Sequence, residues 1–290
     1  METASKNVHE RIDWVTAVAK QPEIKRRLFE VMRVYLDHEK ETTGEVAKSW
    51  SFRGYFGWKL PHVRWGTRED SDIMIGSGEL APEVYHIIFD SGACDNVSRI
   101  DLAVTCALQT PANLAIEYYD EVKRLSGKAG VCKRQYALIQ NTAQGQTLYV
   151  GSRQSTQFGR VYDKGMQQKA LQFKAGELWR FEVEFKDERA YKVARQLKDV
   201  QVGVIANCVH KWFSGRHIAP IWPFGSSLEE IIDTTQEATL ASDEATLRWL
   251  STQVKPSIIR LSAKGKLEQV FYSLDLPKYI DWDKLEEIPG

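Results

Sequence analysis

Three segments of this chain alternate apolar and ionisable residues with a period of two. That pattern restricts them to strands of a sheet with one face in a core. In Arg99–Thr105, Ile100, Leu102 and Val104 fall on one side, and Arg99, Asp101, Ala103 and Thr105 on the other. In Trp179–Phe185, Phe181, Val183 and Phe185 would be buried while Arg180, Glu182 and Glu184 project together. Thr147–Gly165 reads as two short strands around a polar turn, with Leu148 and Val150 toward a core and Tyr149 and Gly151 away from it. After the turn, Phe158, Arg160, Tyr162 and Lys164 share one face and Val161 takes the opposite one. A tyrosine between two cations on its own face suits a phenol that acts as a phenolate and meets a phosphate.

The rest of the chain supplies partners for such strands. Ile12–Ala17 reads as a first strand, and Glu23–Glu41 carries Ile24, Leu28, Val31, Met32 and Leu36 at helical spacing. Ser49–Thr67 reads as a hairpin, Phe52–Leu60 then Val63–Thr67, around Pro61. Ile73–Gly76 and Val84–Ser91 are expected to be two further strands, and Leu114–Ser126 a helix. After Asp187 the texture turns helical, over Arg189–Leu197, Val200–Cys208, Leu228–Thr235, Ala241–Gln253 and Pro256–Gly265, and Asp281–Gly290 reads as a loose tail. The expected fold is therefore α+β, an antiparallel-rich central sheet with helices on one face. A first domain would span 1–187, and a mainly helical C-terminal region, 188–290, would pack on it or continue it. There is no tandem repeat and no low-complexity segment.

At 290 residues, 43% of them hydrophobic and 27% charged, the chain has ample core for an ordinary globular protein. Its 39 basic and 39 acidic side chains balance, which argues against non-specific coating of nucleic acid but permits a local basic groove. The four cysteines, Cys94, Cys106, Cys132 and Cys208, show no CxxC pairing and no zinc-finger histidine spacing, so reduced thiols are expected. Met1–Asp13 is polar, and no apolar run approaches the ~20 residues that cross a bilayer, so a cytoplasmic protein without a membrane partner is expected. Most of the nine tryptophans should be core or core-edge residues, a minority being free to stack on bases.

Asp101, Glu182 and Glu184 are hard oxygen donors suited to Mg²⁺ or Mn²⁺, and a metal there would polarise a phosphodiester. A sheet with one apolar and one polar face needs no function to explain it, and spacing alone does not make the three strands neighbours.

An ordered set of motifs adds to this reading: Ile12-Asp-Trp, Ser91-Gly-Ala-Cys94, Arg99-Ile-Asp-Leu-Ala-Val, and Tyr149-Val-Gly-Ser-Arg-Gln-Ser155. Arg160-Val-Tyr-Asp-Lys-Gly165, Arg180-Phe-Glu-Val-Glu and Trp249-Leu-Ser-Thr-Gln-Val-Lys-Pro256 follow. In this order the set resembles the trans-acting family of rolling-circle replication initiators of plasmids and phages, relatives of the HUH endonucleases. The resemblance implies an enzyme that nicks one strand of a double-stranded origin in an extruded single-stranded loop, joins its tyrosine to the 5′ phosphate, and frees a 3′ hydroxyl that primes synthesis. Carried over, the nucleophile falls on Tyr162, and the metal ligands on Asp101 with Glu182, Glu184 or both. Arg153 and Arg160, with Lys164 beside them, would hold the DNA backbone. Host helicase and polymerase would be partners, and a homodimer is implied by the resemblance alone.

Two departures stand out. The relatives' histidine pair is absent, so carboxylates would have to supply that ligation; and Thr105 stands where a second Asp is common. Tyr149 is the rival nucleophile. A conjugative relaxase has the same chemistry, but about 11 residues before the first strand are too few for the helix-turn-helix that many relaxases carry. A non-catalytic DNA-binding regulator of the same fold is the rival of another class, and Thr105 is the hint toward it. His86 reads as a sheet histidine, and Gly76-Ser-Gly78 as a turn lacking the Lys-Ser/Thr of a phosphate loop. Lys123, Arg124, Lys128, Lys133 and Arg134 form an acid-free run that could touch a DNA backbone. Glu229, Glu230, Asp233, Glu237, Asp243 and Glu244 read as a solvated surface or a docking face for a host protein.

Overall fold

A computed structural model of the chain describes residues 8–42, 46–108, 112–126, 136–141, 145–167, 174–197 and 203–221. Ten strands form one sheet: β1 (Val8–Ala19), β2 (Lys48–Phe52), β3 (Tyr55–Lys59), β4 (Val63–Thr67), β5 (Asp72–Ser77), β6 (Asn96–Ala107), β7 (Tyr136–Asn141), β8 (Gly145–Val150), β9 (Gln157–Asp163) and β10 (Leu178–Lys186). Their spatial order is β2-β3-β4-β5-β1-β6-β10-β9-β8-β7, and every pairing is antiparallel. The helices are α1 (Pro22–Thr42), α2 (Ala81–Asp90), α3 (Leu114–Ser126), the single turn α4 (Lys164–Gln167), α5 (Asp187–Leu197) and α6 (Val204–Ser214). The expected α+β architecture is the one observed.

The alternation decides which face is covered. Val15, Ala17, Ile100, Leu102, Val104, Val161, Phe181, Val183 and Phe185 form one buried cluster with Leu28 and Met32 of α1, Val84 and Ile88 of α2, Ala115 and Val122 of α3, Val193 of α5, and Trp212 and Phe213 of α6. Burying a side chain of this size stabilises by ~1.5–3 kcal/mol, so these apolar rows lock the register of the central strands. The second face carries a small apolar cluster at one end, Tyr55, Ile73 and Ile75 with Trp14, Val18 and Trp50, and ionisable residues toward the middle.

Three local expectations are corrected. Val84–Ser91 is not a strand but most of helix α2: Pro82 sits in its first turn and Ala81, Val84, Tyr85 and Ile88 bury at helical spacing. The continuous apolar run concealed that period, and His86 is an exposed helix residue. Phe52–Leu60 is not one strand: Phe52 ends β2 and Tyr55–Lys59 is β3, because Arg53 and Gly54 both adopt positive φ and close a tight hairpin. β7 was not anticipated; four of its six residues are exposed, so alternation leaves no signal there. The expected helices after 221 and the motif at 249–256 lie outside the described residues.

Gly159 shows how closely α6 sits on the sheet. A Cβ there would lie 2.3 Å from Trp212 Cζ3, while the Trp212 indole donates to Gln157 Oε1 at 2.7 Å. Gly159→Ala is therefore expected to destabilise by ~1–3 kcal/mol through overpacking, read as a lower denaturation midpoint in urea.

Candidate active site

The three alternating segments are immediate neighbours. β6 pairs with β10, Glu184 facing Asp101, and β10 pairs with β9, Arg180 facing Tyr162 and Glu182 facing Arg160. The period of two then sets Asp101, Glu182, Glu184, Arg160 and Tyr162 on the second face. Asp101 and Glu182 are 1% exposed, which for carboxylates demands partners.

Those partners are cations and the phenol. The Tyr162 hydroxyl donates to Glu182 Oε2 at 3.1 Å, and Arg160 pairs with Oε1 of the same carboxylate. Arg99 donates to Asp101 through Nε at 2.8 Å and reaches Glu184 Oε2 at 2.9 Å, while Lys186 Nζ holds Glu184 Oε1 at 2.8 Å. Burial raises the Tyr162 phenol well above the ordinary tyrosine range, and Glu182 adds to this against the opposing pull of Arg180 and Arg160. In this arrangement burial and Glu182 outweigh the bias toward phenolate expected of Arg160 and Lys164. The guanidinium of Arg160 and the ammonium of Lys164 lie 5.8 Å and 5.7 Å from the ring centroid, but Glu182 takes the hydroxyl proton as its hydrogen bond. Lys164 is pushed down to about 8, by burial and then by Arg180.

β1 contributes a carboxylate that alternation hides. The register slips between Ile12 and Trp14, a bulge that leaves Asp13 without a strand partner and turns it onto this face. Asp13 binds Arg180 Nη1 at 3.0 Å and pairs with Arg11. Burial would raise its pKa, yet Arg180 and Arg11 together hold it below the ordinary carboxylate range. Arg180 Nε donates to Thr105 Oγ1 at 2.9 Å, so Thr105 serves as an acceptor for a guanidinium. The sequence places Arg180 on the polar face with Glu182 and Glu184 but gives no role to it or to Asp13. The Ile12-Asp-Trp motif was the available signal, but strict alternation assigns Asp13 to the core side.

Arg153 lies elsewhere. Its guanidinium sits 4.9 Å from the Tyr149 ring and 5.6 Å from that of Phe158, and these two rings stack at 5.6 Å. Tyr149 faces Arg160 across β8 and β9, so the rival tyrosine shares the face.

Asp101, Glu182 and Glu184 have the donor chemistry for Mg²⁺ or Mn²⁺. Their oxygens here are engaged by Arg99, Arg160, Lys186 and Tyr162, and among the described residues no three acid, His or Cys side chains converge to hold an ion. As arranged, the residues do not fit a bound divalent cation.

Asp101 gives this face a pH signature. Burial raises its carboxyl to about 7, helped by Glu182 and Glu184 and opposed by Arg99. The native state therefore keeps a proton that the unfolded chain releases, so this site's stability contribution falls as pH rises from about 4 to about 7. Asp101→Asn has no proton to lose. The stability of Asp101→Asn relative to the unsubstituted protein is expected to grow across that window and level off above it, as read by urea midpoints at each pH.

No helix among the described residues is long and apolar enough to cross a membrane, and Cys94, Cys106 and Cys208 are free thiols. No curated protein matches the chain. A solved rolling circle replication initiator protein from Geobacillus stearothermophilus is similar to it at 18% identity with a TM-score of 0.52, over 71% of this chain and 84% of that one. At that identity the likeness shows the fold. The model of the replication initiation factor family matches residues 95–270, more than half the chain and all three strands of the site. The chain belongs to the replication initiation factor family.

Proposed function

We propose that this chain nicks and rejoins one DNA strand at a rolling-circle origin through a 5′-phosphotyrosine on Tyr162. The observation that carries the reading is the buried relay Tyr162–Glu182–Arg160: a hydroxyl, an acceptor positioned to take its proton, and a guanidinium holding that acceptor. Glu182 removes the phenolic proton as the oxygen attacks phosphorus. The bond to the 3′ oxygen breaks, that oxygen takes a proton from water to become a 3′ hydroxyl, the hydroxide being neutralised by the proton that Glu182 releases, and the 5′ phosphate remains on Tyr162. Attack by a 3′ hydroxyl on the same phosphotyrosine reverses the step and closes the strand. Because the phenol rests protonated, the base must act as the bond forms, which keeps Tyr162 inert without DNA.

Arg160 and Lys164 are the cations beside the tyrosine, and both are assigned to the scissile phosphate. Double-stranded origin DNA with an extruded single strand is the substrate, the 3′ hydroxyl primes a host polymerase, and a host helicase opens the duplex. The chain's own groups carry these steps, the carboxylates being engaged by arginine, lysine and Tyr162. A reaction abolished by EDTA and restored by Mn²⁺ would return Asp101, Glu182 and Glu184 to a ligand role with Arg99 displaced. The direct test is incubation with labelled single-stranded origin DNA, followed by mass mapping of the adducted peptide. The label is expected on the peptide that contains Tyr162.

A further inference from the structure

Beside the acidic centre, on the same face, lies a groove of about 690 Å³ built mainly from aromatic rings and cations. Trp14, Trp50 and Phe52 supply its rings, and Arg53, Arg64, Arg99, Arg153 and Lys186 its charge, with no carboxylate among the lining residues. Asp101 and Glu184, behind the lining, pair with Arg99 and Lys186, which leaves Arg53, Arg64 and Arg153 as a local excess of charge that faces an anion.

The rings are presented rather than buried in the helix-covered core. Phe52 is 46% exposed and stacks on Trp50, ring centroids 5.9 Å apart. The Trp14 indole is fixed by its bond to Thr16 Oγ1 at 2.8 Å, and Arg99 and Arg64 approach that one ring at 4.7 Å and 5.5 Å. Gly66 leaves room for Trp50, whose ring atom Cζ3 would stand 2.9 Å from a Cβ there. Arg53 holds φ at 49°, a conformation that favours Gly or Asn in a hairpin turn, and its guanidinium lies 5.1 Å from the Phe52 ring. Arginine at this turn, where glycine would carry less strain, keeps a cation at the rim of the groove over Phe52.

We infer that this groove binds unpaired DNA, its bases stacked on Trp14, Trp50 and Phe52 and its phosphates held by Arg53, Arg64 and Arg153. Duplex DNA offers its phosphates but keeps its base faces covered, whereas unpaired bases can enter between aromatic side chains. The groove adjoins the acidic centre through Arg99, which lines the one and binds Asp101 and Glu184 of the other. Lys186, at the groove, lies six residues along β10 from Arg180, the register partner of Tyr162. At ~3.4 Å per residue that is ~20 Å, a reach of several nucleotides. The groove thus holds the single strand that flanks the scissile phosphate, an assignment that rests on the proposed nickase reading for which DNA it is.

The test uses the full chain with Tyr162→Phe as background, so that cleavage plays no part in binding. Fluorescent single-stranded oligonucleotides and duplexes of equal length are titrated against this protein and against versions carrying Phe52→Ala, Arg53→Gly, or both. Both positions are exposed and Arg53→Gly relieves the strained φ, so melting temperatures are expected to fall only slightly, through the lost Phe52–Trp50 stack. Single-strand affinity is expected to fall roughly 5- to 100-fold with Phe52→Ala, and further in the double variant, while duplex affinity changes less than twofold. Equal single-strand affinity in all four proteins, or equal losses for single strand and duplex, would overturn the groove assignment. No adduct from the chain with Tyr162 intact on the same oligonucleotides would instead overturn the nickase reading and leave the groove standing.

Discussion

A Tyr162→Phe protein forms no covalent adduct with single-stranded origin DNA, and its nicking of a supercoiled origin plasmid falls by at least roughly a thousandfold. That outcome is expected because the phenol oxygen is the atom that would bond phosphorus, and no neighbouring group replaces it in the relay with Glu182. The fold should survive, since the change removes one hydrogen bond, worth ~1 kcal/mol, and keeps the ring in its buried place. Tyr149→Phe is the matched control. Tyr149 shares the face but its ring stacks on Phe158 beneath Arg153, so its loss should leave the adduct intact. Adduct is read as a mobility shift on a denaturing gel and located by mass mapping. Adduct persisting in Tyr162→Phe and vanishing in Tyr149→Phe would move the nucleophile.

The second large effect comes from Glu182, and two substitutions separate its roles. Glu182→Gln keeps an oxygen that can accept from Tyr162 or from Arg160 but cannot take a proton. Nicking is expected to fall ~10²- to 10⁴-fold while the protein still folds. Glu182→Ala removes the acceptor altogether and strands the half-buried Arg160 guanidinium and the Tyr162 hydroxyl. Breaking a buried ion pair from one side costs ~3–5 kcal/mol; with Arg160 34% exposed, the lower end of that range is expected. The readouts are single-turnover nicking for the first and urea midpoints for the second. Full activity in Glu182→Gln would remove the general-base role and leave Glu182 as the structural partner of Arg160.

Legibility in the sequence followed the strength of periodicity. Strands with one fully buried face, such as β6 and β10, announced their polar rows because every second residue had to be apolar. Helix α2 was misread for the converse reason: its apolar run satisfies a period of two about as well as one of 3.6. Asp13 was missed because a bulge breaks the rule that assigns faces, and the rule carries no warning of where a bulge will fall. The aromatic groove was foreshadowed only by the number of tryptophans, since Trp14 of β1 joins Trp50 and Phe52 of β2 from a distant part of the chain.

By itself the sequence determined which side chains share a strand face: Asp101 on one strand, Arg160 with Tyr162 on another, Glu182 with Glu184 on a third. Apolar burial leaves each strand only one orientation, so those sets follow from local pattern. Only the tertiary structure decided what each set does to the next. Strand order put β10 between β6 and β9, so Glu182 met Tyr162 and Arg160 while Arg99 closed on Asp101 and Glu184. Which charge lies nearest the phenol is a matter of a few ångströms across strands, where Coulomb and hydrogen-bond terms change steeply. That is why two flanking cations suggested a phenolate, and the folded chain holds a phenol bound to a carboxylate.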